Sequence, residues 1–291
     1  MLGALPGPLV KRVKRMVTTM RLQGLKGARK HLAGKQSEPE KGRGETKKMA
    51  SIAVYSVKGG GGKTTFSVYL AWCAAQISKR KTLLWDLDPA NGSGFLLGVD
   101  PKKKRAATSV FSADREPSKL IQKTDYDLLH LLPADESIRS LDRQFESFGK
   151  KRKMAKLVGA LGKEYDRIIL DCPPVLNELS TQVMRAADLV IVPLPPSPLS
   201  TRAFEVVVEE VRGSGKKHPP ILPVLSMLDM RRNLHREARE ANPKWPAVPL
   251  ASAVEQCAVE RKPVGAFAPR APAARAFAQL WTAIERKLAQ K

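Results

Sequence analysis

The chain has 291 residues, of which 43% are hydrophobic and 27% charged, as expected for a globular protein with a full core. It carries 51 Lys and Arg against 28 Asp and Glu, a net charge of +23 that favours a polyanionic partner, either nucleic acid or an anionic membrane surface. Its three cysteines are too widely spaced for a disulfide framework or a C-x-x-C zinc site, so we expect a reducing, cytoplasmic location. No apolar run reaches transmembrane length.

The first 48 residues differ from the rest, because they hold 13 Lys and Arg against 3 Glu. Within them, residues 9–22 place apolar side chains three and four apart among basic ones, a pattern that favours a short amphipathic helix on lipid or along DNA. Residues 35–48 are polar and predict a linker. We therefore expect a basic, partly disordered extension over residues 1–48 and one domain over residues 49–291. A solvated tail without a role is an equal alternative.

The stretch that organises the domain is residues 57–65, which read VKGGGGKTT. An apolar, β-branched run of strand length precedes it, over residues 51–57, and residues 66–77 follow with apolar side chains at helical spacing. A strand, a glycine-rich turn and a helix that opens on Gly-Lys-Thr predict a phosphate-binding loop.

Each residue type in this loop suits a polyphosphate. Glycines let the backbone curl so that its N–H groups point at the anion, and the positive end of the following helix faces it too. Lys63 would reach the β- and γ-phosphates, and the Thr64 hydroxyl would bind Mg²⁺. The predicted cofactor-binding residues, for ATP, are Gly59, Gly60, Gly61, Gly62, Lys63, Thr64 and Thr65.

Two further apolar runs end in aspartate. Residues 82–88 (TLLWDLD) end at Asp88, and residues 167–171 (RIILD) end at Asp171. An acid at the carboxyl end of a parallel strand lies where ligands bind in open α/β sheets. A hydrophobic strand that ends in Asp beside a phosphate loop describes a Walker B strand, so Asp171 is the predicted second ligand of Mg²⁺, directly or through water.

Three motifs together resemble the ParA/MinD family of partition and positioning ATPases. The loop K-G-G-x-G-K-T-T, with a second lysine at Lys58, is similar to the family's deviant Walker A loop. The stretch after residue 85, DLDPANG, resembles its switch I, although Ala90 stands where the family usually has Gln. D-C-P-P from Asp171 onward resembles its switch II, and the resemblance covers nearly all of residues 50–288.

The resemblance implies Mg²⁺-dependent ATP hydrolysis and assigns three residues to catalysis. Lys63 would stabilise the phosphates, Asp88 would orient or activate the attacking water, and Lys58 would reach across an interface to the partner subunit's nucleotide. The active form would be an ATP-dependent homodimer, which an activating partner of ParB or adaptor type stimulates. Alternating strands and helices predict the matching fold, a doubly wound, mostly parallel α/β sheet flanked by helices.

The surface partner has two candidate identities. ParA-like binding to non-specific DNA, with a nucleoid-associated location, suits the basic charge and is the leading hypothesis. The alternative is a MinD-like membrane-surface switch that uses residues 9–22, since the family's C-terminal membrane helix has no counterpart after the last predicted helix. The basic residues that we expect to contact DNA are Arg202, Arg212, Lys216, Lys217, Arg231, Arg232 and Arg236.

Overall fold

A computed structural model describes residues 48–100, 119–135, 137–138, 153–213 and 218–290. The N-terminal extension, apart from Lys48, lies outside this range. The described strands are β1 (Ala50–Val54), β2 (Thr82–Asp86), β3 (Gln122–Lys123), β4 (Leu129–Leu132), β5 (Arg167–Asp171), β6 (Leu189–Leu194), β7 (Ile221–Leu228) and β8 (Ala247–Pro249). The described helices are α1 (Lys63–Trp72), α2 (Gly92–Leu96), α3 (Lys153–Leu161), α4 (Glu178–Ala186), α5 (Pro198–Gly213), α6 (Asn233–Ala241), α7 (Ser252–Glu260), α8 (Val264–Phe267) and α9 (Pro272–Ala289).

The strands form one sheet in the order β3-β4-β2-β5-β1-β6-β7-β8. All pairs are parallel except β3 with β4, so the predicted doubly wound, mostly parallel fold is confirmed. Neither the two-residue antiparallel strand β3 nor the short helix α2 was predicted from the sequence. Within the described residues, no helix is both long and apolar enough to cross a membrane.

Strand order decides what meets at the carboxyl edge of the sheet. β1 lies between β5 and β6, so the loop that leaves β1 opens beside the end of β5. β2 pairs with β5 on its other side, in a register that places Asp86 next to Asp171. β1 and β2 end at Val54 and Asp86, two to three residues earlier than predicted, because the chain there turns out of the sheet into loops.

The core beneath this edge packs α1 against α9. The Phe277 ring is fully buried, stacks on Tyr69 at a centroid distance of 4.3 Å and meets Phe66 edge-on at 4.8 Å. A π-helical segment (Cys73–Ile77) extends α1, and Trp281 of α9 donates its indole N–H to Ser78 at 2.8 Å just after it. These contacts fix α1, which carries the end of the phosphate loop.

We predict that Phe277→Ala lowers the free energy of unfolding by about 3–5 kcal/mol, because it leaves a cavity between α1 and α9. Urea denaturation followed by circular dichroism measures the change. Thr282→Ala, at an exposed position of the same helix, is the control and should change stability by less than about 0.5 kcal/mol. Equal stability of the two variants would contradict this description of the core.

Candidate functional site

The glycine-rich loop joins β1 to α1 with a backbone that depends on glycine at two positions. Gly60 has φ of +72° and Gly62 has φ of +89°, both in the left-handed region that side chains disfavour. A β-carbon on Gly61 would lie 3.5 Å from the carbonyl of Pro193, at the end of β6. The loop therefore has the tight curl and the close approach to a neighbouring strand that a phosphate cradle requires.

Lys63, the first residue of α1, turns its side chain into this loop. It is only 7% exposed, and its ammonium group donates a hydrogen bond to the carbonyl of Lys58 at 3.3 Å. Burial lowers the pKa of Lys63, whereas the negative charges of Asp171 and Asp88 act in the opposite direction. The structure thus brings a buried cation and two predicted site acids into one electrostatic neighbourhood.

Thr64 and Thr65 follow in the first turn of α1, where both are half-buried. A β-carbon on Gly92, the first residue of α2, would come within 3.0 Å of the Thr64 γ-methyl. The segment after Asp88 therefore packs directly against the threonine that is predicted to bind Mg²⁺.

Asp86 and Asp171 form a buried pair of carboxylates at the ends of β2 and β5, and both are 0% exposed. Burial raises the pKa of Asp86, and the charge of Asp171 adds to that effect. Burial also raises the pKa of Asp171. Hydrogen bonds to its carboxylate from the hydroxyl groups of Ser93, Ser67 and Thr64 act in the opposite direction and lower the pKa. Two adjacent buried acids make a site at which positive charge is favoured, and Lys63 supplies one such charge.

The donor set around Asp171 fits Mg²⁺. A carboxylate and a threonine hydroxyl are hard oxygen donors, and Mg²⁺ is commonly held by one or two such groups, the substrate phosphates and water. Among the described residues, no group of three or more His, Cys, Asp and Glu side chains could hold a metal alone.

Asp88 lies at the mouth of the site and is half-buried. Its backbone N–H donates to Asp86 at 2.9 Å, and its own carboxylate accepts the N–H of Ala90 at 3.0 Å. The carboxylates of Asp86 and of Asp88 itself therefore hold the turn in place.

The side chain of Lys58 is half-buried at the loop entrance. Across the part of the chain that the structure describes, it makes no hydrogen bond or ion pair with another side chain. Its backbone N–H donates to the Ser56 hydroxyl at 3.3 Å, so the backbone position is fixed while the ammonium group remains available.

Two serines at the site were not predicted. The Ser67 hydroxyl is 3.0 Å from one oxygen of Asp171, and the Ser93 hydroxyl donates to the other oxygen at 2.8 Å. Ser67 stands one helical turn after Lys63, which is a weak sequence signal. Ser93 lies in a short Gly-Ser-Gly stretch, where no periodicity marks it.

The basic residues predicted to contact DNA lie on α5, on or just before α6, or outside the described residues. Arg231, Arg232 and Arg236 come together at the start of α6, where all three are exposed. Asp229 pairs with two of these guanidinium groups, and Arg236 donates to the backbone carbonyl of Met230. Arg202 and Arg212 lie on α5 instead, while Lys216 and Lys217 fall outside the described residues.

Comparison with known proteins identifies the family. A family model described as an AAA domain matches residues 49–222. The virulence plasmid ParA family protein pGP5-D of Chlamydia psittaci is 31% identical over 188 residues, which cover 64% of this chain and 72% of that protein. The chain belongs to the ParA/MinD family of P-loop ATPases.

One further relative agrees with this assignment, and one solved structure shares the fold. Sporulation initiation inhibitor protein Soj of Bacillus subtilis is 27% identical over 242 residues, covering 79% of this chain and 95% of Soj. The solved structure of the septum site-determining protein MinD from Pyrococcus horikoshii, complexed with Mg-ADP, has a TM-score of 0.66 at 23% identity and covers 83% of this chain and 97% of that one. The likeness to MinD shows a shared fold.

Proposed function

We propose that this chain is a ParA-like ATPase that forms an ATP-dependent dimer, binds DNA without sequence preference, and uses Mg²⁺-dependent hydrolysis to segregate or position DNA or another cargo. The observation that carries the proposal is the convergence at one sheet edge of a buried Lys63 with Asp88 and Asp171. A cation for the phosphates and two acids with different exposure are what phosphoryl transfer to water requires.

The residues divide the reaction between them. Lys63 and the loop amides would bind the β- and γ-phosphates, while Thr64 and Asp171 would hold Mg²⁺. When bound, Mg²⁺ neutralises the charge that develops on the phosphate oxygens. Asp88, less buried than Asp171, would accept a hydrogen bond from the attacking water and align it with the γ-phosphate.

A dimer across the nucleotide edge is supported by apolar side chains exposed there. They follow the carboxyl ends of β5, β6, β7 and β8, and because these strands are parallel, they belong to the same edge of the sheet as the phosphate loop. Exposed apolar groups around a polar site are typical of an interaction surface. The residues, each at least 41% exposed, are Val175, Leu176, Leu199, Met230 and Leu250.

We predict that Lys58→Ala weakens ATP-dependent dimerisation, because the partner's phosphates lose a cation that this subunit would supply. Sedimentation velocity with a non-hydrolysable ATP analogue measures the dimer fraction. Lys244→Ala, in an exposed loop that precedes β8 at the opposite edge of the sheet, is the control and should dimerise as the wild type does. A Lys58 variant that dimerises normally would remove Lys58 from the interface.

DNA binding is supported by charge and by the exposed arginine cluster. Residues 49–291 carry 38 Lys and Arg against 25 Asp and Glu, so the basic character does not depend on the extension alone. The side chains of Arg231 and Arg232 are 88% and 64% exposed, and a guanidinium group matches phosphate oxygens well. A dimer would present two such clusters to one duplex.

We predict that the triple change Arg231→Gln, Arg232→Gln and Arg236→Gln weakens binding to arbitrary duplex DNA. The plot of log affinity against log salt should become less steep, its slope decreasing in magnitude by up to about 2.7. This is roughly 0.9 for each phosphate that an arginine no longer neutralises. Titrations at several salt concentrations with ATP measure the slope. Arg286→Gln with Lys287→Gln, exposed near the end of α9, is the control and should leave the slope unchanged.

Flotation with anionic liposomes separates this proposal from the membrane alternative. Residues 9–22 lie outside the described residues, so the structure does not bear on that alternative. ATP-dependent flotation that requires residues 9–22, in a protein that binds no DNA, would contradict the DNA proposal and support the membrane-surface switch.

A further inference from the structure

Residues 87–100, the segment that carries Asp88, contain little regular structure of their own. Among these described residues there is one helix, α2, and it has five residues. A helix this short is unstable unless other groups anchor it. Asn91, at its N-cap, makes no capping hydrogen bond with its side chain, and its amide oxygen is buried without a partner. The turn of Asp88 makes its own bond, from the N–H of Ala90 to the Asp88 carboxylate, and contacts from outside residues 87–100 help to fix its geometry.

Asp86 supplies the first of these contacts. One oxygen of its buried carboxylate accepts the N–H of Asp88 at 2.9 Å, and the other accepts the N–H of Ser93 at 3.0 Å. A carboxylate near the first amides of a helix takes the place of a missing cap. A single acid thus holds the segment on both sides of its turn.

Ser93 supplies the second contact. Its hydroxyl donates to Asp171 at 2.8 Å, while its N–H donates to Asp86, so one buried residue bridges the two acids. The Ser67 hydroxyl also lies 3.0 Å from Asp171, but it is equally close to the carbonyl of Lys63, and one proton cannot fully serve both. The bond from Ser93 has no such competition among the described contacts.

The two glycines that flank Ser93 lie so close to other atoms that a side chain at either position would crowd them. A β-carbon on Gly92 would lie 3.0 Å from the Thr64 methyl, and one on Gly94 would lie 2.8 Å from the Asn91 amide and 3.0 Å from the carbonyl of Val99. Ser93 itself is fully buried. Because Ser93 is hydrogen-bonded to Asp171 and the neighbouring Gly92 packs against Thr64, a shift of Asp171 would be passed to the segment through Ser93.

We propose that Ser93 is a positioning residue that couples Asp171 to Asp88. This role of Ser93 rests on the proposed function, in which Asp171 holds Mg²⁺ and Asp88 orients water. With nucleotide and metal held at Asp171, the Ser93 hydroxyl would hold α2 against that carboxylate and so set the distance of Asp88 from the γ-phosphate. Without the hydroxyl, the nucleotide would still bind, but the water would be poorly aligned.

The test compares Ser93→Ala with Ser67→Ala in the full-length protein. Both remove a hydroxyl from the same carboxylate, but only Ser93 lies in the segment that carries Asp88. We expect Ser93→Ala to lower kcat by roughly tenfold to a hundredfold with KM changed by less than about threefold, because misalignment of the water affects turnover rather than binding. Ser67→Ala should lower kcat less.

Hydrogen exchange without nucleotide supplies a readout that does not depend on activity. In Ser93→Ala the amides of residues 88–97 should exchange at least about tenfold faster than in the wild type, while those of β1 and β5 keep their protection. Ser67→Ala should leave residues 88–97 as protected as in the wild type. A melting temperature near that of the wild type shows that Ser93→Ala is folded.

The outcomes distinguish this inference from the proposed function. A wild-type protein that hydrolyses no ATP with Mg²⁺ would refute the proposed function, and this coupling with it. Wild-type hydrolysis together with unchanged kcat in Ser93→Ala, or unchanged exchange of residues 88–97, would overturn the role of Ser93 alone. Faster exchange across the whole sheet would reduce Ser93 to a general stabilising residue and would also overturn it.

Discussion

The site depends on two aspartates that lie side by side with no exposure to solvent. Burying a carboxylate costs several kcal/mol unless hydrogen bonds and positive charge compensate for it, and two neighbours of like charge raise that cost. Asp86 is compensated by the backbone amides of Asp88 and Ser93, and Asp171 by hydroxyl groups. Lys63 supplies one positive charge beside the pair, and a nucleotide-bound metal would supply more.

The parallel sheet produces this arrangement. Strands that run the same way end at the same edge, so the end of β1, where the loop starts, lies beside the end of β5, and the end of β2 lies on the far side of β5. Lys63 is buried next to the acids because it is the first residue of the helix that leaves this edge. The exposed apolar residues of the same edge would let one surface bind both the nucleotide and a second subunit.

The strand, glycine-rich turn and helix of residues 50–72 could be predicted from the sequence because their signals are local, and the alternation of strands and helices predicted the fold class. A β-branched run, consecutive glycines and Gly-Lys-Thr determine neighbouring backbone, and the comparisons confirm the family. The two serines could not be predicted, since Ser67 and Ser93 lie 104 and 78 residues from Asp171 along the chain and meet it only after β5 pairs with its neighbours. The two residues of β3 carry too short a pattern for a strand to be recognised.

The central claim is that the buried carboxylate of Asp171 holds the metal that joins nucleotide to protein. The most direct measurement is the affinity for an ATP analogue, by calorimetry, with and without Mg²⁺, in the wild type and in Asp171→Asn. The Asn side chain keeps the shape, can accept one serine hydroxyl at its amide oxygen and donate from its amide nitrogen to the other hydroxyl oxygen, but it removes the charge. We expect Mg²⁺ to strengthen binding to the wild type at least about tenfold more than binding to the variant. Without ligand, the variant should melt at the same temperature as the wild type or at a higher one. An equal effect of Mg²⁺ on both proteins would contradict the central claim.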